Sequence, residues 1–187
     1  MAVTEPVIGQ SITRLDARGK VTGETLYPGD YAVEGMLHMK ILFSARAHAR
    51  IRSIDTSAAE ALPGVVAIFT ARDIPVNEYG LIMPDQPVLC GPGTEKIGGD
   101  VVRTYMDNVA LVVAESEEIA AQARDLIRVD YEDLPAVFDP FAAMEDGAPQ
   151  LHQNTPNNII THYRVRKGDM EAGWAGSDVI IEGEYHT

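Results

Sequence analysis

The segment NVALVVAESEEIAAQARDLIRVDYEDL, residues 108–134, carries three hydrophobic patterns in succession. NVALVVA is apolar at nearly every position, as a strand buried on both faces reads. Ser116 follows with an oxygen suited to a helix N-cap, and Glu117 and Glu118 fall where the positive end of a helix dipole favours them. Ile119, Ala123, Leu126 and Ile127 then recur at helical spacing as a buried stripe. RVDYEDL returns to alternation through Val129 and Tyr131. Strand, helix and strand in this order predict a βαβ unit, within an α/β domain that runs to about Pro135.

Upstream, MLHMKILFS alternates, with Leu37, Met39, Ile41 and Phe43 predicted on the buried face and His38, Lys40 and Ser44 on the other. ARIRSID sets Ala49, Ile51 and Ser53 opposite Arg50 and Arg52. The three-residue step from Ile51 to Ile54 breaks that alternation and predicts a bend or bulge. Ser57 and Glu60 have capping-box spacing ahead of a short helix that Pro63-Gly64 stops, and VVAIFT reads as a central strand. Residues 1–19 read as an extended arm. KVTGETLYPGDY reads as a β-prone segment bounded by Gly23 and a Pro28-Gly29-Asp30 turn. Residues 71–101 are rich in Gly, Pro and Asp, and a loop of this length goes with function or an interface. Its GPG and GG pairs match neither GxGxxG nor a P-loop, and no helix follows them, so they are not read as a phosphate cradle.

Downstream, residues 136–160 hold linker chemistry and one short helix. NIITHYRVRKGD and SDVIIEGEYHT then resume strand character, with Val179, Ile181 and Tyr185 on one face. Two short strands are too little for an independent core, so this end reads as the start of a further domain.

Composition narrows the function classes. The chain has 187 residues, 45% of them hydrophobic and 6% aromatic, which is a globular balance. A net charge of −13, with no aromatics interleaved among the few clustered arginines, argues against nucleic-acid binding. No apolar run approaches the roughly 18 residues of a membrane span. MAVTEPVIGQSI lacks the basic and apolar regions of a secretory leader, so a cytoplasmic location is expected. Cys90 stands alone, which excludes an internal disulfide framework and a multi-cysteine metal or iron–sulfur site within the chain.

The most suggestive cluster is SARAHARIRSID, residues 44–55, where His48 lies among Arg46, Arg50 and Arg52. A catalytic histidine needs a nucleophile or an acid partner, and none is spaced to serve. His48 is therefore expected to order a small-residue connector, and Arg50 and Arg52 to pair with acidic groups of this domain or of a partner. Asp130, Glu132 and Asp133 after a strand, and Glu95 in the long loop, read as solvated surface rather than as a metal site or general base. No residue is assigned a catalytic, cofactor-binding or metal-ligating role.

Several segments together resemble one family. Lys20-Val21-Thr22-Gly23, Ser44 followed by His48-Ala49-Arg50-Ile51, Leu62-Pro63-Gly64-Val65-Val66, the segment from Thr70 to Pro75, Val109 to Glu115, and Tyr131-Glu132-Asp133-Leu134-Pro135 stand in the order and spacing of its signatures. The chain resembles the start of the molybdenum-binding large subunit of the xanthine dehydrogenase/aldehyde oxidase family. That resemblance implies an α/β (α+β) a/b hammerhead domain, with a mixed sheet and short helices, at residues 20–135. It further implies an arm at 1–19, a linker at 136–160, and the incomplete beginning of a molybdopterin-binding domain at 161–187. Family members commonly carry a Gly-rich turn where this chain has Tyr105-Met106-Asp107-Asn108, and Asn108 is expected to take the left-handed conformation there.

For function, the resemblance implies hydroxylation of purines, N-heterocycles or aldehydes. In the family a molybdenum-bound hydroxyl attacks the carbon, a glutamate acts as base, and electrons leave through iron–sulfur clusters and often FAD. The family's glutamate and pterin-binding segments lie downstream of the region matched. The chain is thus expected to be a fragment or separately encoded piece, inactive alone and without cofactor of its own. Its expected partners are the remaining molybdopterin-binding region and iron–sulfur and FAD subunits or domains, with self-association left open and no nucleic acid or membrane. The alternative is a standalone α/β scaffold or binding domain without catalytic activity.

Overall fold

The computed structural model describes residues 8–82 and 84–185; the first residues of the expected arm and the last two of the expected final strand lie outside them. The chain divides into two compact units, Met1–Asp133 and Leu134–Thr187.

The first unit is built on two three-stranded sheets. Strands β1 (His38–Phe43), β5 (Asn108–Ala114) and β3 (Val65–Phe69) form one, in the order β1-β5-β3. Strands β4 (Val101–Val102), β2 (Ala49–Asp55) and β6 (Arg128–Asp133) form the other, in the order β4-β2-β6. The α/β class stands, but the ladders between these strands are all antiparallel, where a mixed sheet was expected. Residues 108–134 do fold as strand, helix, strand, yet not as a βαβ unit in one sheet. Helix α3 (Glu117–Leu126) carries the chain from the centre of one sheet to the edge of the other. The charge pattern explains this, because β6 places Arg128 and Asp130 on an exposed side. A parallel sheet covered on both faces has no place for such a side, whereas an antiparallel edge does.

Ser116 caps α3 as its sequence predicts, accepting from the Ile119 amide at 3.2 Å. The buried stripe keeps Ala123 and Ile127 as expected and adds Ala120, while Ile119 is half-buried and Leu126 is exposed. Alanines let the helix sit close to β5, whose Ala110 and Val112 are fully buried against it. Helix α2 (Ser57–Glu60) adds Ala59 to the same cluster. A second cluster joins Ala49, Ile51, Cys90, Val102 and Val109, and Leu42, Ile54 and Val129 touch both clusters. The core is therefore continuous between the two sheets. The bulge expected after Ile51 is present, as a register shift between Ile51 and Ser53 on β6. It turns Ser53 outward and Ile54 inward.

Three local expectations are corrected. On β1 the faces are inverted: Met39 is 63% exposed, while His38, Lys40 and Leu42 are half-buried. Pairing of Lys40 with Val112 and of Leu42 with Ala110 places these residues on the side that α3 covers, and Lys40 reaches Glu117 in the helix's first turn. Helix α2 is not started by a Ser57–Glu60 capping box. Asp55 Oδ1 accepts from the Ser57 amide at 3.0 Å and from its hydroxyl at 2.6 Å, and these bonds hold the Asp55 carboxyl below its ordinary pKa. Residues 17–22 form a short helix, α1 (Ala17–Thr22), where the end of an extended arm and the start of a β-prone segment were expected; Gly23 ends it at φ 76° and none of its residues is buried. The Pro28–Asp30 turn is present.

The second unit holds the expected short helix, α4 (Pro140–Met144), capped by Asp139, which accepts from the Ala142 amide at 2.8 Å. Asn158 ties its loop together, donating to the carbonyls of Ala143 at 2.8 Å and Pro149 at 2.9 Å and accepting from the Leu151 amide. A further helix, α5 (Met170–Ala175), follows. The strands expected at either side of α5 are absent among the described residues: 159–169 and 177–185 are without ladder partners. Alternation alone does not make a strand where no neighbouring strand supplies hydrogen bonds. Val179, Ile181 and Tyr185 are 75%, 87% and 90% exposed. Backbone amides of residues 177–185 are accordingly expected to exchange within seconds in the dilute 187-residue chain, while those of β5 remain protected. Hydrogen exchange read by mass spectrometry checks this, and protection at 177–185 in a verified monomer would contradict it.

Candidate functional site

The connector between β1 and β2 and the turn before β5 lie against each other. Ser44 is buried; its amide donates to the Asp107 carbonyl at 2.9 Å and its hydroxyl to the Thr104 carbonyl at 2.7 Å. The Ala45 amide donates to the Tyr105 carbonyl at 3.3 Å. The turn itself closes on Asp107, whose carboxylate accepts from the Arg103 amide at 2.5 Å and the Thr104 amide at 3.1 Å. The departure Tyr105-Met106-Asp107-Asn108 is thus solved by a carboxylate acceptor and needs no glycine. Asn108 is extended at the start of β5, against the left-handed conformation expected of it. The positive φ falls across the contact instead, on Ala45 at 50°. That conformation is costly for alanine and is held by the bonds on either side.

His48 is buried immediately before β2. The arginines flanking it face a row of carboxylates. Arg50 meets Asp100 at 2.6 Å and approaches Glu132 at 3.9 Å; Arg52 also pairs with Glu132. Arg46 reaches Asp133 at 3.4 Å, and its guanidinium lies 5.2 Å from the Tyr131 ring centroid. The expected acid pairing is therefore realised within the domain, by residues of β2, β6 and the loop before β4. Glu132 and Asp133 are occupied by these pairs, while Asp130 and Glu95 are exposed. Partly exposed pairs of this kind fix side-chain geometry and contribute little stability.

Sequence reasoning missed Asp100, Arg103 and Asn77. Arg103 is half-buried, donates to the carbonyls of Gly98 and Val101, and its pKa is lowered by desolvation. Asn77 is buried within the long loop, where its side-chain amide donates to the Leu89 carbonyl at 2.8 Å and accepts from the Leu89 amide at 3.0 Å. Tyr79 and Gln86 pair as an isolated antiparallel bridge just beyond. The loop is thus pinned at its base, with Leu81 and Ile82 almost fully exposed.

Cys90, at the foot of this loop, is buried, and desolvation, with Asp107 next, pushes its thiol up to about 12. Such a thiol stays protonated and is a poor nucleophile or metal ligand at neutral pH. The folded state holds the proton more tightly than the unfolded chain, so stability is fully present below the unfolded thiol pKa and falls as pH rises towards 12. Between pH 9 and 10.5 the chain is expected to lose about 1–2 kcal/mol more than a Cys90→Ala variant does. Urea unfolding of both at the two pH values measures the difference, and equal losses would mean that the thiol is not desolvated.

Among the described residues no three His, Cys, Asp or Glu side chains are grouped to hold a metal ion. The polar residues brought together here tie the β1–β2 connector to the turn before β5 and join β2 to β6 and the loop before β4; the class of protein they define is a two-sheet α+β domain. The comparisons with known proteins say which one. Residues 22–135 match the aldehyde oxidase and xanthine dehydrogenase a/b hammerhead domain, and the chain belongs to that family. It is 42% identical over 176 residues to a probable xanthine dehydrogenase subunit of Bacillus subtilis, covering 94% of this chain and 22% of that protein. It is 32% identical over 182 residues to the nicotinate dehydrogenase large molybdopterin subunit of Eubacterium barkeri, covering 97% and 40%. The solved aldehyde oxidoreductase from Desulfovibrio gigas superposes with a TM-score of 0.72 at 33% identity, over 91% of this chain and 19% of that one. The chain therefore spans well under half the length of these relatives.

Proposed function

We propose that this chain is the hammerhead region of the large subunit of a molybdenum-dependent hydroxylase, supplying scaffold and assembly surface to an enzyme that oxidises purines, N-heterocycles or aldehydes. The observation that carries the reading is the hammerhead match over residues 22–135 within relatives named as xanthine dehydrogenase and molybdopterin subunits. Residues 161–187 are, on this reading, the beginning of the molybdopterin-binding region. Iron–sulfur and FAD parts are its further partners.

Among the described residues, the cluster around His48 reads as structural and not as a cofactor site: Cys90 is protonated and buried, and Arg50, Arg52, Glu132 and Asp133 are committed to one another or to neighbours such as Asp100 and Arg46. When bound in the assembled enzyme the cofactor supplies the redox chemistry. The chain's own part is to hold a rigid two-sheet wall.

The test is purification of the native assembly that carries this chain through a tag at its N-terminus. Stoichiometric molybdenum, together with dye-coupled oxidation of hypoxanthine, nicotinate or an aldehyde, is expected. A native species with neither, in cells that make active molybdenum enzymes, would favour a standalone scaffold.

A further inference from the structure

Among the described residues of the first unit, helices cover one side of the β1-β5-β3 sheet. On the side facing α3 lie Leu42, Ala110, Val112, Val65 and Ile68. On the opposite side, register places Met39 beside Val113 and Ile41 beside Leu111, with Phe69 next to Leu111 on the far strand; Phe43 follows Ile41 on the same face of β1. Met39, Ile41, Phe43 and Phe69 are 63%, 36%, 38% and 37% exposed, and Leu111 and Val113 are only half-buried. These six side chains form an apolar patch across all three strands, without a charged residue among them. A solvent face of an antiparallel sheet ordinarily carries polar residues, so this one is built to be covered.

Size and charge decide what covers it. Three strands of five to seven residues present a face of about 300 Å². A stable interface between independent chains needs about 800 Å² per partner. A second copy would also set a net charge of −13 against −13. A patch too small to hold a separate protein is sufficient when the covering surface belongs to the same folded subunit, where effective concentration replaces area. The relatives supply such a surface, since most of their length lies outside the region matched here.

We infer that the Met39, Ile41, Phe43, Leu111, Val113 and Phe69 face is where this region docks onto the molybdopterin-binding remainder of the large subunit. The inference rests on the proposed function and adds the surface through which it operates. The register shifts between Leu42 and Phe43 and between Val65 and Ala67 lie in the ladders that join β1 and β3 to β5, and they bend the sheet locally beside the face. The proposed contact is made by the side chains of the face.

The experiment compares the native assembly with the 187-residue chain, using carbene footprinting and a photoreactive diazirine side chain at position 41. Strong protection of Met39 and Leu111 in the assembly, their ready labelling in the isolated chain, and a cross-link from position 41 to the large-subunit remainder are expected. Ile41→Asp and Leu111→Asp should each lower the yield of assembled enzyme at least about tenfold. The same substitutions should leave the β5 amides of the isolated chain protected, which separates lost docking from lost folding. Leu81→Asp, on the loop tip outside the face, should leave the yield unchanged. Equal labelling in both states, or a cross-link to Ile41 of a second copy, overturns the inference while leaving the proposed function intact. A native assembly that contains no molybdenum hydroxylase polypeptide sinks the proposed function itself.

Discussion

Replacing Asn77 with Leu is expected to destabilise the first unit by about 2–4 kcal/mol. The two side chains are close in size, so no cavity is created and the cost is one of hydrogen bonding alone. Asn77 both donates to and accepts from the backbone of Leu89, and both residues are buried. Leucine leaves the Leu89 amide and carbonyl unpaired and away from water, at about 1–3 kcal/mol for each group. The better burial of leucine's carbons offsets part of this. Asn77→Asp separates the two bonds. A carboxylate accepts from the Leu89 amide but has no proton for the carbonyl, and it buries a charge at neutral pH. Relative to the parent, that variant should regain stability on acidification, because the protonated acid can donate. Urea unfolding read by far-ultraviolet circular dichroism gives the stabilities, and hydrogen exchange at residues 86–90 localises the effect. A loss below about 1 kcal/mol for Asn77→Leu would mean that the long loop is not pinned by this residue.

That loop shows where sequence reading stops. Its length and composition marked it as functional or interfacial, but nothing in the local pattern singles out Asn77 as its anchor, since its partner lies 12 residues away. The same holds for Arg50 and Asp100, 50 residues apart. The pairing of arginines with carboxylates was legible as chemistry, and the identity of the partners was not. Elements governed by neighbours in sequence agree with the structure: the Ser116 cap, the bulge after Ile51 and the short helix before residue 145. VVAIFT is a strand, but β3 lies at the edge of its sheet and not at the centre expected from its apolar run, a place that β5 takes. The β1 faces are inverted relative to the sequence pattern, in which the more apolar side reads as the inner one. In this sheet the more apolar side looks outward, and the helix covers the side carrying His38 and Lys40. An outward apolar face is the mark of a domain that continues its packing against something else. The family signatures in residues 20–135 carry the fold class, while the sheet assignment of β6 depends on contacts that only the folded chain displays.

Gly64→Ala is expected to cost about 1–3 kcal/mol, from two causes that can be measured separately. Gly64 ends the α2 corner at φ 89°, a conformation that costs a residue with a Cβ about 1–2 kcal/mol. An added Cβ would also stand 2.7 Å from Cδ1 of Ile119 in α3, well inside contact distance. Ile119 lies in the first turn of that helix, next to Ala120 and Ala123, which seat it on β5. The close atom is the far end of a half-buried side chain, so rotating it relieves most of the overlap and leaves the helix backbone in place. The Gly64 carbonyl also accepts from the Glu115 amide at 2.9 Å, so the corner cannot shift freely to make room. In an Ile119→Ala background the overlap is gone and only the backbone cost remains. Gly64→Ala should then cost about 1–2 kcal/mol, and the double-mutant cycle should return a coupling energy of about 0.5–1 kcal/mol. Additive losses would place the whole effect in the backbone. The helix would then not be fitted against the corner at Gly64, and close seating of α3 on β5 would rest on the alanines alone.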